Sequence, residues 1–180
     1  MISTEIKFGG FGGQGVILAG IIIGRAASIY DNKFATLTQS FGPEARGSAC
    51  SAQVIISDGK ILYPYVTKPE ILLVMSQEAC NKFLPETTDD AIVIVEEDLV
   101  KPNGLKPGMK VFGIPATRLA EELGRKMILN IVMVGFFTAV TKLVHHEAVR
   151  EAVKASVPPG TENMNLKAFD RGYQFGLQLS

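Results

Sequence analysis

The 180 residues carry 18 basic and 18 acidic side chains and a formal net charge of zero, so the positive footprint of a nucleic-acid binder is missing. Hydrophobic residues make up 47% of the chain and the mean hydropathy is +0.22, enough for a sizeable core in one domain over 1–180 with apolar surface left for a partner. No charged-then-apolar leader opens the chain, and the longest apolar runs, Val16 to Ile23 and Ile131 to Val140, are well short of the roughly 18 residues of a membrane span, so the expectation is a cytoplasmic protein without a membrane partner.

The first element is a short strand, Ile6 to Phe8, followed by Gly9-Gly-Phe-Gly-Gly-Gln-Gly15 and an apolar helix opening at Gln14 and ending at Asp31-Asn32. Read as G-x-G-x-x-G, the run places Gly10, Gly12 and Gly15 where backbone N–H groups can approach a phosphate at a helix N-terminus. The same glycines also suit a tight strand-to-helix turn with no ligand. A second strand spans Phe34 to Thr38. It ends in Gln39-Ser40, without the acid that would accept a hydrogen bond from the ribose of NAD, which argues against NAD.

A polar loop, Gln39 to Ser48, precedes a strand over Ala49 to Ile56. Asp58-Gly59 and a short strand over Lys60 to Leu62 then read as a hairpin. Ile71 to Met75 is a buried strand, with Ser76 as N-cap of a short helix that Pro85 stops. Strands over Ala91 to Val95 and Lys110 to Ile114 flank a Pro- and Gly-rich surface loop, and Thr117 is placed to cap a helix ending near Gly124. Ile128 to Val144 has helical length, with Gly135 pointing to a close neighbour. A short helix up to Ala155 and a final one over Leu166 to Leu179 complete the chain. Strands alternating with helices, plus one hairpin, predict a Rossmann-like, doubly wound α/β sheet of mixed direction with C-terminal helices.

Several places invite chemistry. In the loop after the second strand, Gly42-Pro43 and Gly47 present Glu44 and Arg46; the guanidinium could clamp a phosphate or carboxylate, or the two could form an exposed pair of little worth. Gln14 could bond a ligand or tie the glycine loop to its neighbour, and Asn130 could serve a ligand or cap a helix. Glu96-Glu97-Asp98 reads as a solvated edge rather than an acid–base pair. His145 and His146 point about 100° apart on a helix, which disfavours one shared metal. Cys50 and Cys80 lack C-x-x-C spacing, so they supply neither a zinc site nor an iron–sulfur cluster from this chain.

The glycine run, then Ser40-Phe-Gly-Pro-Glu-Ala-Arg-Gly47, a strand ending Ile55-Ile-Ser-Asp58, Ser76-Gln-Glu-Ala79 and Asn130-Ile-Val-Met-Val-Gly135 together resemble the gamma subunit of 2-oxoacid:ferredoxin oxidoreductases, most closely the 2-oxoglutarate type. The resemblance implies a multisubunit enzyme that decarboxylates a 2-oxoacid, passes electrons to ferredoxin and delivers the acyl group to coenzyme A. It also implies that thiamine diphosphate, magnesium and iron–sulfur clusters reside on alpha, beta and delta partner subunits. No catalytic residue is expected on this chain. Carried residue by residue, Gly10, Gly12, Gly13, Gln14 and Gly15 come first as phosphate or partner contacts, Glu44 with Arg46 second, and Asn130 third, with coenzyme A as a possible shared ligand. Ser48 and Glu70 depart from the family pattern, the first putting the fine geometry near Arg46 in doubt.

Overall fold

In the computed structural model, which describes residues 1–40 and 49–180, the strand read at Ile6 to Phe8 runs on through the first two glycines as β1, Ser3–Phe11. Gly9 and Gly10 can stay in the ladder because they sit opposite Ser51 and Cys50. The neighbouring side chains use the space they leave. A Cβ on Gly9 would meet the Phe83 ring at 2.7 Å, and one on Gly10 would meet the Gln14 amide oxygen at 2.6 Å.

The remaining strands are β2 Phe34–Ser40, β3 Ala49–Ser57, β4 Ile71–Val74, β5 Ile92–Glu96 and β6 Lys110–Ile114. They form one open sheet in the order β2-β3-β1-β4-β5-β6. β1, β4, β5 and β6 run parallel, while β3 is antiparallel to both β1 and β2. The mixed direction expected from the sequence is therefore present, but the antiparallel hairpin-type neighbours are β2 and β3. Lys60 to Leu62 is irregular, not a strand, because both sides of β3 are already taken by β1 and β2.

Among the described residues there are six α-helices: α1 Val16–Arg25, α2 Gln77–Phe83, α3 Ala116–Glu122, α4 Leu129–Thr141, α5 His146–Ser156 and α6 Glu162–Leu177. The alternation within each strand divides them between two faces. Ile6, Phe8, Val54, Leu73 and Ile94 face a large core with Ile22, Ile23, Phe136, Phe137 and Phe169, drawn from α1, α4 and α6. Leu72, Val74, Val93 and Val95 face a smaller core closed by Ala79, Cys80 and Phe83 of α2. Ser76 caps α2 as its sequence suggests, its hydroxyl oxygen accepting from the Ala79 N–H at 3.1 Å. The helix that follows the glycine loop does not end cleanly: after α1 it loosens into a π-helical turn over Ala26–Tyr30.

The most intimate contact is between α4 and α6. α4 is buried from Leu129 through Ala139, as expected for a helix apolar on every side. The added expectation of a close neighbour at Gly135 is met by α6: a Cβ at Gly135 would fall on the Phe169 carbonyl, and one at Gly172 on the Val132 carbonyl. The two backbones touch with nothing between them. Among the described residues, no helix is long and apolar enough to cross a membrane.

Candidate functional site

In an open α/β sheet, ligands lie outside the carboxyl ends of the parallel strands, where successive connections leave in opposite directions. Here the chain leaves β1 toward β2 on one side, and leaves β4 toward β5 on the other. A cleft of about 610 Å³ opens at that switch point. Its walls come from Phe11 to Gln14 after β1, Met75 to Gln77 after β4, Leu99 after β5, Thr117 on α3, and Lys126, Met127 and Leu129 leading into α4. Most of that lining is apolar, with a few polar groups set into it, the usual make-up of a small-molecule site.

The glycine loop is held in shape by one side chain. Gln14 accepts from the Phe11 N–H at 2.7 Å and donates to the Met75 carbonyl at 2.9 Å, fastening the β1 loop to the β4 loop. Both ends of its amide are used, which is the loop-tying alternative of the two left open for this residue. Gly13 and Gly15 have φ of +88° and +76°, where a side chain is strained. Gly12 has no positive φ, and among the described residues nothing lies within 4 Å of where a Cβ would stand. Gly15 is the N-cap of α1 and contributes no side-chain cap.

Asn130 is brought to this loop, but neither as a helix cap nor toward the cleft. It lies inside the first turn of α4, and its Nδ2 donates to the Gly15 carbonyl at 3.2 Å. A Cβ on Gly15 would collide with that amide. Asn130 thus anchors the loop from below, and the N-cap position belongs to Ile128. Glu44 and Arg46 lie outside the described residues. The flanking residues Ser40 and Ala49 are placed, and the register puts Ala49 opposite Phe11, at the same end of the sheet as the glycine loop.

Two residues that sequence reasoning gave other roles meet beside the cleft, which Thr117 lines. Glu96, read as part of a solvated edge, is fully buried at the end of β5. Thr117, read as a cap, is inside α3, and Pro115 holds the N-cap position instead. The Thr117 hydroxyl donates to Glu96 Oε2 at 3.1 Å, and the Asp98 N–H donates to Oε1 at 3.2 Å. Burial pushes the Glu96 carboxyl above its ordinary range; the Asp98 and Thr117 hydrogen bonds pull the other way, and Asp98 and Glu97 add repulsion. Asp98, by contrast, is held below the usual carboxylate range by its hydrogen bond from Arg118, at 2.6 Å.

A model of the pyruvate ferredoxin/flavodoxin oxidoreductase family matches residues 5–175. The chain belongs to that family. It is 47% identical over 177 residues to the 2-oxoglutarate synthase subunit KorC of Methanocaldococcus jannaschii, covering 97% of this chain and 95% of the relative. Among solved structures, a keto/oxoacid ferredoxin oxidoreductase gamma subunit from Geobacter sulfurreducens superposes with a TM-score of 0.89 at 38% identity, covering 99% and 98% of the two chains. A 2-oxoglutarate:ferredoxin oxidoreductase from Magnetococcus marinus, described with 2-oxoglutarate, coenzyme A and succinyl-CoA bound, shares the fold at a TM-score of 0.89 and 19% identity. The alignment takes in all of this chain and 32% of that one.

Within the family fold, the remaining reactive side chains of this chain are quiet. His146 stacks on Tyr173 with ring centroids 4.2 Å apart and pairs with Glu147 at the start of α5, in keeping with a polar helix end. Cys50 and Cys80 are buried free thiols, pushed up by desolvation and so poor nucleophiles. Among the described residues no group of three or more His, Cys, Asp or Glu side chains is arranged to hold a metal ion.

Proposed function

We propose that this chain is the gamma subunit of a 2-oxoglutarate:ferredoxin oxidoreductase, and that the cleft at the carboxyl ends of β1, β4 and β5 receives part of coenzyme A. In this reading the chain forms one domain, and alpha, beta and delta partners carry thiamine diphosphate, magnesium and the iron–sulfur clusters. The complex decarboxylates the 2-oxoacid, transfers the acyl group to the coenzyme A thiol and sends two electrons to ferredoxin. The 47% identity to a 2-oxoglutarate synthase subunit along nearly the full length of both chains carries the substrate assignment. The cleft carries the coenzyme A assignment.

The physical case for an anion at the loop is local. The strand-to-helix turn leads straight into α1, whose first-turn N–H groups have no intrahelical acceptors. Gly12 and Gly13 leave open space beside the backbone, and Lys126 adds a cation to the rim of the same cleft. Glu44 and Arg46 remain proposed contacts, because the flanking residues Ser40 and Ala49 stand at the same end of the sheet as the glycine loop. Asn130 is proposed to act by holding Gly15 rather than by touching ligand.

The test uses the reconstituted complex. Gly12→Asp adds a carboxylate where there is room for one and no backbone strain, so folding should be kept and a phosphate repelled. The expected result is a KM for coenzyme A raised about tenfold or more, with the KM for 2-oxoglutarate unchanged. A wild-type coenzyme A KM in that variant would remove the ligand role of the loop. Affinity purification of the tagged chain should bring down thiamine- and iron-bearing partners, and their absence would refute the subunit assignment.

A further inference from the structure

Glu96 is a carboxyl group with no exposed surface and no cation within ion-pairing distance among the described residues. Burying such a group costs several kcal/mol unless its lone pairs are met, and an apolar residue of the same size would avoid the cost altogether. Its two hydrogen bonds account for both oxygens. They do not account for why an acid should stand there, because the Asp98 N–H needs only one acceptor. What the acid alone can do is fix the direction of the second bond. An ionised carboxylate only accepts, so the single hydroxyl proton of Thr117 must point at Glu96 Oε2. Thr117 lines the cleft, and with its proton spent, its oxygen has only lone pairs left to offer there.

We propose that Thr117 is a specificity-determining residue of this cleft, and that Glu96 positions its hydroxyl as a hydrogen-bond acceptor for an N–H group of the ligand. The inference rests on the coenzyme A reading and narrows it: of the chemical pieces of that molecule, the pantetheine arm combines amide N–H donors with apolar links. That combination matches an oxygen acceptor set among Met75, Leu99, Met127 and Leu129. The phosphates then fall to the glycine loop and Lys126.

Replacing Glu96 by Gln tests the direction of the bond with little change of shape. The Asp98 N–H requires the one remaining carbonyl oxygen, so the new amide must turn its NH₂ toward Thr117, and the hydroxyl proton is released into the cleft. An acceptor becomes a donor facing a donor. In the reconstituted complex, Thr117→Val and Glu96→Gln should each raise the coenzyme A KM about tenfold with kcat kept, whereas Thr117→Ser should stay near wild type. The decisive measurement compares coenzyme A with analogues in which each pantetheine amide N–H in turn is an ester oxygen. Wild type should discriminate against one analogue by about tenfold, the worth of one hydrogen bond, and both Thr117→Val and Glu96→Gln should lose that discrimination.

Equal handling of coenzyme A and both analogues by wild type would overturn the proposal, as would a Thr117→Val variant that still discriminates. If Thr117→Val proves unfolded, Glu96→Gln and Thr117→Ser decide on the same readout. Should Gly12→Asp raise the coenzyme A KM while these variants leave it unmoved, only this inference falls. Should no variant, Gly12→Asp included, touch it, the coenzyme A reading falls first.

Discussion

Two sets of glycines in this molecule look alike in sequence and do opposite things. At the glycine loop, Gly12 and Gly13 leave space that nothing among the described residues fills, and a cleft opens beside them. At the α4–α6 crossing, Gly135 and Gly172 leave space that the opposing backbone fills completely. The difference teaches that a missing side chain is a site only where its vacancy faces outward. Counting glycines in a motif cannot tell the two apart, and even within one motif Gly15 belongs to the second kind, since Asn130 occupies its space.

The largest expected effect is at the crossing. Gly172→Ala puts a methyl group onto the Val132 carbonyl, and neither rigid helix can yield cheaply, so stability should fall by about 3 kcal/mol or more in urea unfolding. A loss under about 0.5 kcal/mol would show that the helices slide apart freely. Next comes Gly15→Ala, where a positive φ and the Asn130 amide both object; about 1–3 kcal/mol should be lost. Adding Asn130→Ala relieves the collision but not the strain, so the double variant should lose clearly less than the sum of the singles. Simple additivity would mean that the two residues do not press on each other.

A smaller effect, confined to a pH window, is expected beside the cleft. Glu96 has its folded pKa raised above the ordinary 4.5, mainly by burial, so the folded state holds this proton more tightly. Its contribution to stability is full below the ordinary value and is lost as pH climbs through the raised one. Asp98 runs the other way: with its pKa lowered by the Arg118 hydrogen bond, it contributes above the ordinary value of 3.8 and loses that contribution as pH falls through the lowered one. Thermal midpoints of Glu96→Gln should therefore stop falling with pH above 4.5 while keeping the drop on the acid side. An unchanged profile would show that Glu96 is not the group that titrates. The smallest effect belongs to Gly12→Ala, which should shift stability by less than about 0.5 kcal/mol, because no positive φ and no neighbour within 4 Å opposes it. A larger loss would mean that Gly12 resembles Gly135 after all.

How far the sequence discloses this molecule depends on whether a residue's role is local. Ser76 is legible as a cap because its partner, Ala79, is three residues on. Gly135 is legible as a close contact because a glycine inside an apolar helix has few other uses. The strand-loop-helix at Gly9 to Gly15 is legible for the same reason, although the strand extends further than its apolar run. Asp58-Gly59 misleads because turn chemistry says nothing of which strand edges are free; both edges of β3 are taken by strands brought from elsewhere. Glu96 and Thr117 mislead together. Three acids in a row look solvated, and a threonine near a helix start looks like a cap, until the fold brings together two side chains 21 positions apart. The signal that could have found Glu96 is period two: Ile92, Ile94 and Glu96 share one face of β5, and on that face Ile94 is buried and Ile92 partly so.

The place of β1 in the sheet sets the order in which the molecule can be assembled. β1 lies between β3 and β4, so it has no partner until residues 49–57 and then 71–74 have been made. Until then an apolar strand with two free edges must be kept from other chains. α6 closes the large core against α4, so the nascent chain stays open on that side until residues 162–177 emerge. A ribosome stalled anywhere short of α6 would thus display a chain with that core still open.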